Sequence, residues 1–140
     1  MFFGEYQHNV DKKGRAFIPS KFRDELGESF IMCRSIDSRP CLRIYSTEQW
    51  QVLDEKLRAL PAKASDFKRK IDSSATTLEC DAQGRILIPA KLREFAQLQG
   101  EACFIGMSDF FEVWSPENWT ADDTACTEDR MDEIAAEYNL

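Results

Sequence analysis

Charged side chains recur in one short pattern that occurs twice in the 140-residue chain. Each copy places an aspartate four residues before an arginine, with a glycine directly before the arginine and an Ile-Pro pair after it. Lysine and arginine follow two and four residues past the proline. Such cations can hold an anion, since a guanidinium can fork onto a phosphate or onto the edge of a guanine. The copies, which match in register, are Asp11-Lys12-Lys13-Gly14-Arg15-Ala16-Phe17-Ile18-Pro19 with Lys21-Phe22-Arg23, and Asp81-Ala82-Gln83-Gly84-Arg85-Ile86-Leu87-Ile88-Pro89 with Lys91-Leu92-Arg93.

Each copy predicts a strand, a tight turn, a second strand and the start of a helix. The aspartates, Asp11 and Asp81, can accept hydrogen bonds from backbone amides of the turn that follows. The glycines, Gly14 and Gly84, supply the positive φ that a tight turn often needs. A proline fits the first turn of a helix, where its missing N–H costs nothing. We therefore expect these four residues to structure the two turns.

Two interpretations of Arg15 and Arg85 remain open at this point. Each arginine can pair with the aspartate four residues before it and simply hold the turn, or it can bind a ligand. Five bases and no acid occur between Lys12 and Arg23, which favours a binding role for the first copy.

The net charge of −7 and the pI of about 4.8 argue, at face value, against a nucleic-acid partner. The distribution of charge matters more than its sum. Ten of the 25 acids but only one of the 18 bases lie between Asp109 and Leu140, so the rest of the chain carries 15 acids and 17 bases. The acidity is concentrated at the C-terminus, and a locally basic face is compatible with the composition.

The residue types argue against an enzyme and against a metal or cofactor site. His8 is the only histidine, so a Cys2His2 zinc site cannot form and we expect no Ser-His-Asp or Cys-His arrangement with a spare base. The sequence contains no Cys-x-x-Cys pair and no glycine-rich phosphate-binding loop. We therefore expect no small-molecule substrate. Without a signal peptide or a long apolar run, we expect a cytoplasmic protein with no membrane partner. Reduced, buried thiols are the expected state of Cys33, Cys41, Cys80, Cys103 and Cys126.

Hydrophobic patterns predict a β-rich first half. Expected strands are Glu5–Val10, Ala16–Ile18, Ser29–Cys33 and Cys41–Tyr45. Ser20 is expected to cap a helix over Lys21–Leu26, with Gly27 as its C-cap. Ser46 and Gln49 form a predicted capping box for a helix with an apolar stripe, which Pro61 ends. Ser65 and Asp66 are expected to cap another helix in the connector.

The second half repeats the same order, which indicates an internal duplication. Expected strands are Thr76–Cys80, Ile86–Ile88, Ala102–Met107 and Phe110–Trp114, with a helix over Ala90–Leu98. Ser115-Pro116-Glu117-Asn118-Trp119 matches Ser46-Thr47-Glu48-Gln49-Trp50. Thr127 can cap a tail helix with an apolar stripe and an acidic face. We predict an α+β, β-rich chain with repeat units at residues 5–47 and 76–119, a helical connector at 48–75 and an acidic tail at 120–140.

The paired Asp-x-x-Gly-Arg turns, each followed by Ile-Pro and Lys-x-Arg, closely resemble the MraZ family of bacterial transcriptional regulators, built from two SpoVT/AbrB-type units. The opening Met1–Tyr6 segment, Cys41–Tyr45 with Trp50, and Phe111–Trp114 with Trp119 also resemble that family, so the likeness spans roughly residues 1–120. The second turn departs from the first, with Ala82-Gln83 in place of two lysines. The connector is short, and the tail is more acidic than is usual for the family.

The resemblance implies tandem swapped-hairpin units with an internal pseudo-twofold, and a homo-oligomer in the form of a ring. It also implies binding, usually as a repressor, to short direct repeats in double-stranded DNA upstream of the division and cell-wall gene cluster, hence a nucleoid-associated protein. The family's DNA contact centres on the segment that corresponds to Asp11–Arg15. The DNA-binding candidates are Arg15 first, then Lys13, Lys12, Lys21, Arg23, Arg85, Lys91 and Arg93.

A protein-interaction scaffold is the competing hypothesis. In that case the duplicated fold serves assembly, the two arginines are structural, and the acidic tail finds a more natural use. The Arg15→Ala variant separates the two, since it should lose DNA binding in one case and assembly in the other.

Overall fold

The computed structural model describes all residues from Met1 to Leu140. The first half contains four strands and two helices: β1 (Glu5–Asn9), β2 (Arg15–Phe17), α1 (Ser20–Leu26), β3 (Ser29–Arg34), β4 (Leu42–Ser46) and α2 (Thr47–Arg58). A 3-10 turn at Ala62–Ala64 leads into helix α3 (Ser65–Ser74). The second half follows with β5 (Thr76–Glu79), β6 (Arg85–Leu87), α4 (Ala90–Phe95), β7 (Glu101–Gly106), β8 (Phe111–Trp114), α5 (Pro116–Ala125) and α6 (Glu128–Glu137).

The strands of the two halves interleave in one six-stranded antiparallel sheet of order β1-β7-β8-β4-β3-β5. The first strand of each half crosses over to pair with the other half: β1 with β7, and β5 with β3. The remaining strands, β2 and β6, form a separate antiparallel ribbon. The α+β class and the exchange of strands between two similar units are confirmed.

The strand order is the same when it is read from either edge with the halves exchanged, so a pseudo-twofold runs through the chain. Ala16 pairs with Ile86 at the centre of the ribbon, and these are equivalent positions of the repeat. Arg43 pairs with Glu112 in the middle of the large sheet, again at equivalent positions. The boundaries predicted for the separate repeat units stay a prediction.

The main core lies between one face of the large sheet, the ribbon, and helices α1 and α4. Phe2, Phe22 and Phe111 form its aromatic centre, with ring centroids 4.7–5.3 Å apart. Aromatic contacts of this kind add to the stabilisation that burial alone provides. On the opposite face a smaller cluster around Trp114 packs against Trp119 of α5. The inner face of the ribbon thus packs on the main core, to which both halves of the chain contribute.

The predicted helix caps at Gly27, Ser46 and Thr127 are confirmed, and those at Ser20 and at Ser65-Asp66 are wrong. The hydroxyls of Ser46, Ser115 and Thr127 each accept a hydrogen bond from the amide three residues on. Ser20 does not cap α1, because the N-cap is Pro19, which keeps an extended conformation (φ −50°, ψ 130°), and Ser20 already lies in the helix.

The predicted Ser65-Asp66 cap is also wrong. A 3-10 turn runs directly into α3, so Ala64 is the N-cap and Ser65 is helical. Helix α4 ends at Phe95 and not at Leu98, because Gln97 takes a positive φ of 57° and Leu98 turns inward to be buried.

The cysteines are only partly buried as expected. Cys33, Cys41 and Cys103 are buried, Cys80 is half-buried and Cys126 is exposed. Burial raises the pKa of the Cys33 thiol to about 12, so that thiol stays protonated at neutral pH.

Candidate nucleic-acid interface

The aspartate organises the first turn with both of its carboxylate oxygens. Asp11 Oδ1 accepts hydrogen bonds from the amides of Lys13 (3.0 Å) and Arg15 (2.8 Å). Asp11 Oδ2 accepts from Nε of Arg15 at 2.8 Å. The Asp11 and Arg15 backbones also pair, and the Gly14 amide donates to the Asp11 carbonyl. The predicted ion pair between Asp11 and Arg15 therefore forms, and it involves only Nε of the guanidinium.

The second turn has the same construction. Asp81 Oδ1 accepts from the amides of Gln83 and Arg85, both at 2.9 Å, and Oδ2 accepts from Nε of Arg85 at 2.9 Å. Gly84 has a φ of 83°, close to the 89° of Gly14. The geometry accounts for the aspartate, glycine and arginine of the repeated pattern without reference to a ligand.

The hydrogen bonds within the turns shift the titration of both aspartates. The backbone amide of Arg15, followed by its side chain, holds the pKa of Asp11 below the ordinary value of 3.8. The amide and side chain of Arg85 lower the pKa of Asp81 in the same way. Both carboxylates are therefore ionised in the folded protein at neutral pH, and each can accept the hydrogen bonds that hold its turn.

The two turns are joined to each other across the pseudo-twofold. The Ile18 amide donates to the Gly84 carbonyl at 3.2 Å, and the Ile88 amide donates to the Gly14 carbonyl at 2.9 Å. These bonds extend the pairing of β2 with β6 at both ends. The ribbon and its two turns therefore form one continuous unit that draws equally on both halves of the chain.

An arginine from the opposite half lies against each turn glycine. A Cβ placed on Gly14 would lie 2.1 Å from Nη1 of Arg93, and one placed on Gly84 would lie 1.8 Å from Nη1 of Arg23. Arg93 therefore belongs to the first turn and Arg23 to the second, the reverse of their order in the sequence. A Cβ at either place would displace the guanidinium from the position that it occupies.

Side chains alternate along the ribbon between the core and the exposed face. Ala16 and Ile86 point into the core and are buried. Arg15, Phe17, Arg85 and Leu87 occupy the alternate positions and share the outer face. Sequence reasoning did not single out Phe17 and Leu87, although the period of two in Arg-Ala-Phe and Arg-Ile-Leu was a usable signal.

The remaining predicted cations lie in the turns or in the helices that follow the ribbon strands. Lys12 and Lys13 are exposed in the first turn, and Lys21 and Lys91 are exposed near the starts of α1 and α4. None of these lysines forms an ion pair, and neither does Arg23 or Arg93. The ion pairs present involve other cations, such as Arg58 with Asp54 and Lys68 with Asp72. The structure thus places six of the eight predicted cations at the two turns and on the ribbon, and Lys21 and Lys91 at the starts of the helices that follow.

The helix starts add little to this set. Helix α1 has seven residues and α4 has six. The amides of Phe22 and Arg23 bond to the Pro19 carbonyl, which leaves few free N–H groups for a phosphate. Side chains therefore supply nearly all of the positive charge.

No group of three or more His, Cys, Asp or Glu side chains is placed to hold a metal ion. No helix combines the length and the apolar composition needed to cross a bilayer.

The chain is a duplicated, β-rich protein whose two halves interleave and together present a two-stranded ribbon with cationic side chains. Its similarity to known proteins agrees with this duplication. The family model described as "MraZ protein, putative antitoxin-like" matches twice, at residues 1–73 and 71–137. The chain belongs to the MraZ family.

Relatives named transcriptional regulator MraZ cover most of the chain. The protein from Caldicellulosiruptor saccharolyticus is 51% identical over 85% of this chain and 84% of its own. A relative from Desulfitobacterium hafniense is 49% identical over the same shares. The relative from Halothermothrix orenii is 46% identical over 97% of this chain and 95% of its own, so the likeness includes the acidic tail.

Proposed function

We propose that this chain is a non-enzymatic, sequence-specific DNA-binding transcriptional regulator of the bacterial cytoplasm and nucleoid. The names of its relatives support a regulator in general. The observation that carries the proposal is the ribbon, whose outer face holds Arg15 and Arg85 and whose turn and helix ends hold six cations without an ion pair.

The ribbon has the form of an element that reads the major groove. That groove is about 12 Å wide and admits a two-stranded β-ribbon. Asp11 occupies Nε of Arg15 but leaves both terminal nitrogens free. Those nitrogens can fork onto a guanine or a phosphate, while Lys12 and Lys13 supply charge for the neighbouring phosphates.

Multivalency supplies the affinity that one ribbon lacks. We propose that several copies of the chain form a ring that presents its ribbons to short direct repeats upstream of the division and cell-wall gene cluster, and that binding there represses transcription. A second contact made from the same assembly benefits from a high effective concentration. A promoter with several repeats should therefore bind far more tightly than a single repeat.

The test is binding to the DNA upstream of the protein's own gene, measured by fluorescence anisotropy at two salt concentrations. We expect preference over a scrambled duplex and a steep loss of affinity with salt, because each phosphate contact releases condensed counterions. Equal binding of the scrambled duplex would overturn sequence-specific regulation. Equal affinity for one repeat and for several would overturn the multivalent assembly.

An assembly scaffold is the second candidate, favoured by the acidic C-terminal helix. No residue of α6 is buried, and its Met131 side chain is 57% exposed. Apolar side chains of α5 and α6 line a groove that includes Ala125, Ile134 and Leu140. If Arg15→Ala disrupts the oligomer and leaves DNA affinity unchanged, the scaffold is the better description.

A further inference from the structure

Two large apolar side chains on the outer face of the ribbon are only half covered by the rest of the chain. Phe17 is 46% exposed and Leu87 is 56% exposed. They occupy equivalent positions of the repeat, so the pseudo-twofold relates them. Phosphate binding and guanine recognition by the arginines do not explain why Phe17 and Leu87 are exposed on this face.

Their neighbours on this face are arginines. Across the ribbon Leu87 pairs with Arg15, and Phe17 pairs with Arg85. The Phe17 ring also lies near that of His8, with ring centroids 6.5 Å apart and the two planes tilted by 50°. The face therefore alternates cationic and apolar side chains, and the carboxylates of its two turns, Asp11 and Asp81, are each paired with an arginine.

This alternation matches the chemistry of a major groove. Phosphates flank the groove, guanine presents acceptors for arginine, and the 5-methyl group of thymine is an apolar group exposed at the base edges. A protein partner complementary to this face would need acidic and apolar groups in the same alternation. The cations around the ribbon favour DNA as the occupant.

We propose that Phe17 and Leu87 contact thymine methyl groups and so contribute to sequence specificity. The proposal rests on the DNA-binding function proposed above. Diagonal neighbours of an antiparallel pair have Cβ atoms roughly 7–8 Å apart or somewhat less. Bases stack at about 3.4 Å. The two side chains therefore reach base pairs about two steps apart.

The experiment replaces thymine by uracil, one position at a time, in the upstream duplex that the protein binds. Uracil pairs as thymine does but lacks the methyl group. Burial of one methyl group changes a dissociation constant about fourfold. We expect that loss for the unaltered protein at one or two positions of each repeat and no change at the other thymines.

The Phe17→Ala and Leu87→Ala variants then assign the contacts. Each should bind the thymine and uracil duplexes equally at its own position and keep the fourfold difference at the other. Leu60→Ala, which truncates an exposed leucine after α2, is the control and should retain both differences. The uracil series with the unaltered protein does not depend on how any variant folds.

The outcomes separate this inference from the function on which it rests. Specific binding of the upstream duplex with no loss at any uracil position overturns the methyl contacts and leaves the regulator intact. No preference for the upstream duplex over a scrambled one overturns the regulator and this inference together. A change of oligomeric mass in Phe17→Ala or Leu87→Ala, measured by light scattering, would assign the face to a second copy of the chain and overturn the inference.

Discussion

The guanidinium of Arg93 lies against Gly14, in the place that a Cβ on that glycine would fill. These residues are far apart in the sequence, and they belong to different copies of the repeat. The equivalent contact joins Arg23 to Gly84. Each turn of the ribbon is therefore completed by the half of the chain that does not contain it.

This contact predicts distinct effects for two glycine substitutions. Gly14 and Gly27 both have a positive φ, 89° and 82°, so alanine at either position should destabilise the fold by about 1–3 kcal/mol. A Cβ on Gly27 meets nothing within 4 Å, whereas one on Gly14 must displace Arg93. We expect Gly14→Ala alone to weaken DNA binding, measured by anisotropy on variants whose urea unfolding is measured in parallel. Equal DNA affinity of the two variants would show that the placement of Arg93 is irrelevant to binding.

The turns also predict how stability depends on pH. The pKa of Asp11 is lower in the folded chain than the ordinary 3.8, through its bonds to the amide and side chain of Arg15. A lowered folded pKa stabilises the protein above the unfolded value, and this contribution is lost as pH falls through the folded pKa. Urea midpoints should therefore fall less steeply below pH 4 in Asp11→Asn than in the unaltered chain.

The control for the pH experiment is Asp132→Asn, which removes an exposed carboxylate of α6 that forms no ion pair. We expect it to keep the acid dependence of the unaltered chain. If both variants have the same slope between pH 4 and pH 2.5, the turn is not the source of the acid sensitivity.

The two turns differ in charge, which predicts unequal contributions to binding. The first turn presents Lys12 and Lys13, whereas the second presents Ala82 and Gln83 at the equivalent positions. Replacing Ala82 and Gln83 by lysine should steepen the dependence of log K on log salt by about 1 to 2. A double lysine substitution at Ser73 and Gln51, both exposed, adds the same charge elsewhere. If the second pair steepens the salt dependence equally, the second turn does not face DNA.

The acidic tail predicts a stable truncated protein. Helix α6 buries none of its residues, so removal of residues 127–140 should change the free energy of unfolding by only about 0.5 kcal/mol. Thermal unfolding followed by circular dichroism checks this directly. A fall in Tm of about 10 °C or more would mean that the tail contributes to the core. Light scattering of the same sample assigns the tail to assembly if the mass decreases.

Local features of the fold could be predicted from the sequence because they depend on neighbouring residues. The turn at Asp11–Arg15 follows from residues four apart, and the Ser46, Ser115 and Thr127 caps follow from residues three apart. The two failed caps share one cause. A serine or aspartate can cap a helix only if it lies just outside the first helical residue. Ser20 and Ser65 are themselves the first helical residues, so the N-cap is the residue before each of them.

The pairing of strands that are distant in the sequence could not be predicted from local sequence patterns. A tandem repeat predicts two similar halves, but separate lobes and interleaved lobes share that pattern. The pairing of β1 with β7 depends on which arrangement buries more of both halves, and only the family resemblance anticipated it. The site shows the same limit. In the sequence Arg23 follows Arg15 in the same copy of the repeat, whereas the crossover places it beside Gly84 of the other copy.

The most direct test of the central claim compares Arg15→Ala with Arg58→Ala. Both arginines form an ion pair with an aspartate four residues earlier, with Nε to Oδ2 distances of 2.8 Å, but Arg58 lies in α2 and away from the ribbon. The two variants thus lose the same charge and the same kind of bond. On the upstream duplex we expect Arg15→Ala to lose about tenfold or more in affinity while its oligomeric mass is unchanged. Arg58→Ala should bind as the unaltered protein does. Equal affinities of the two variants, or a loss of assembly in Arg15→Ala, would contradict the account.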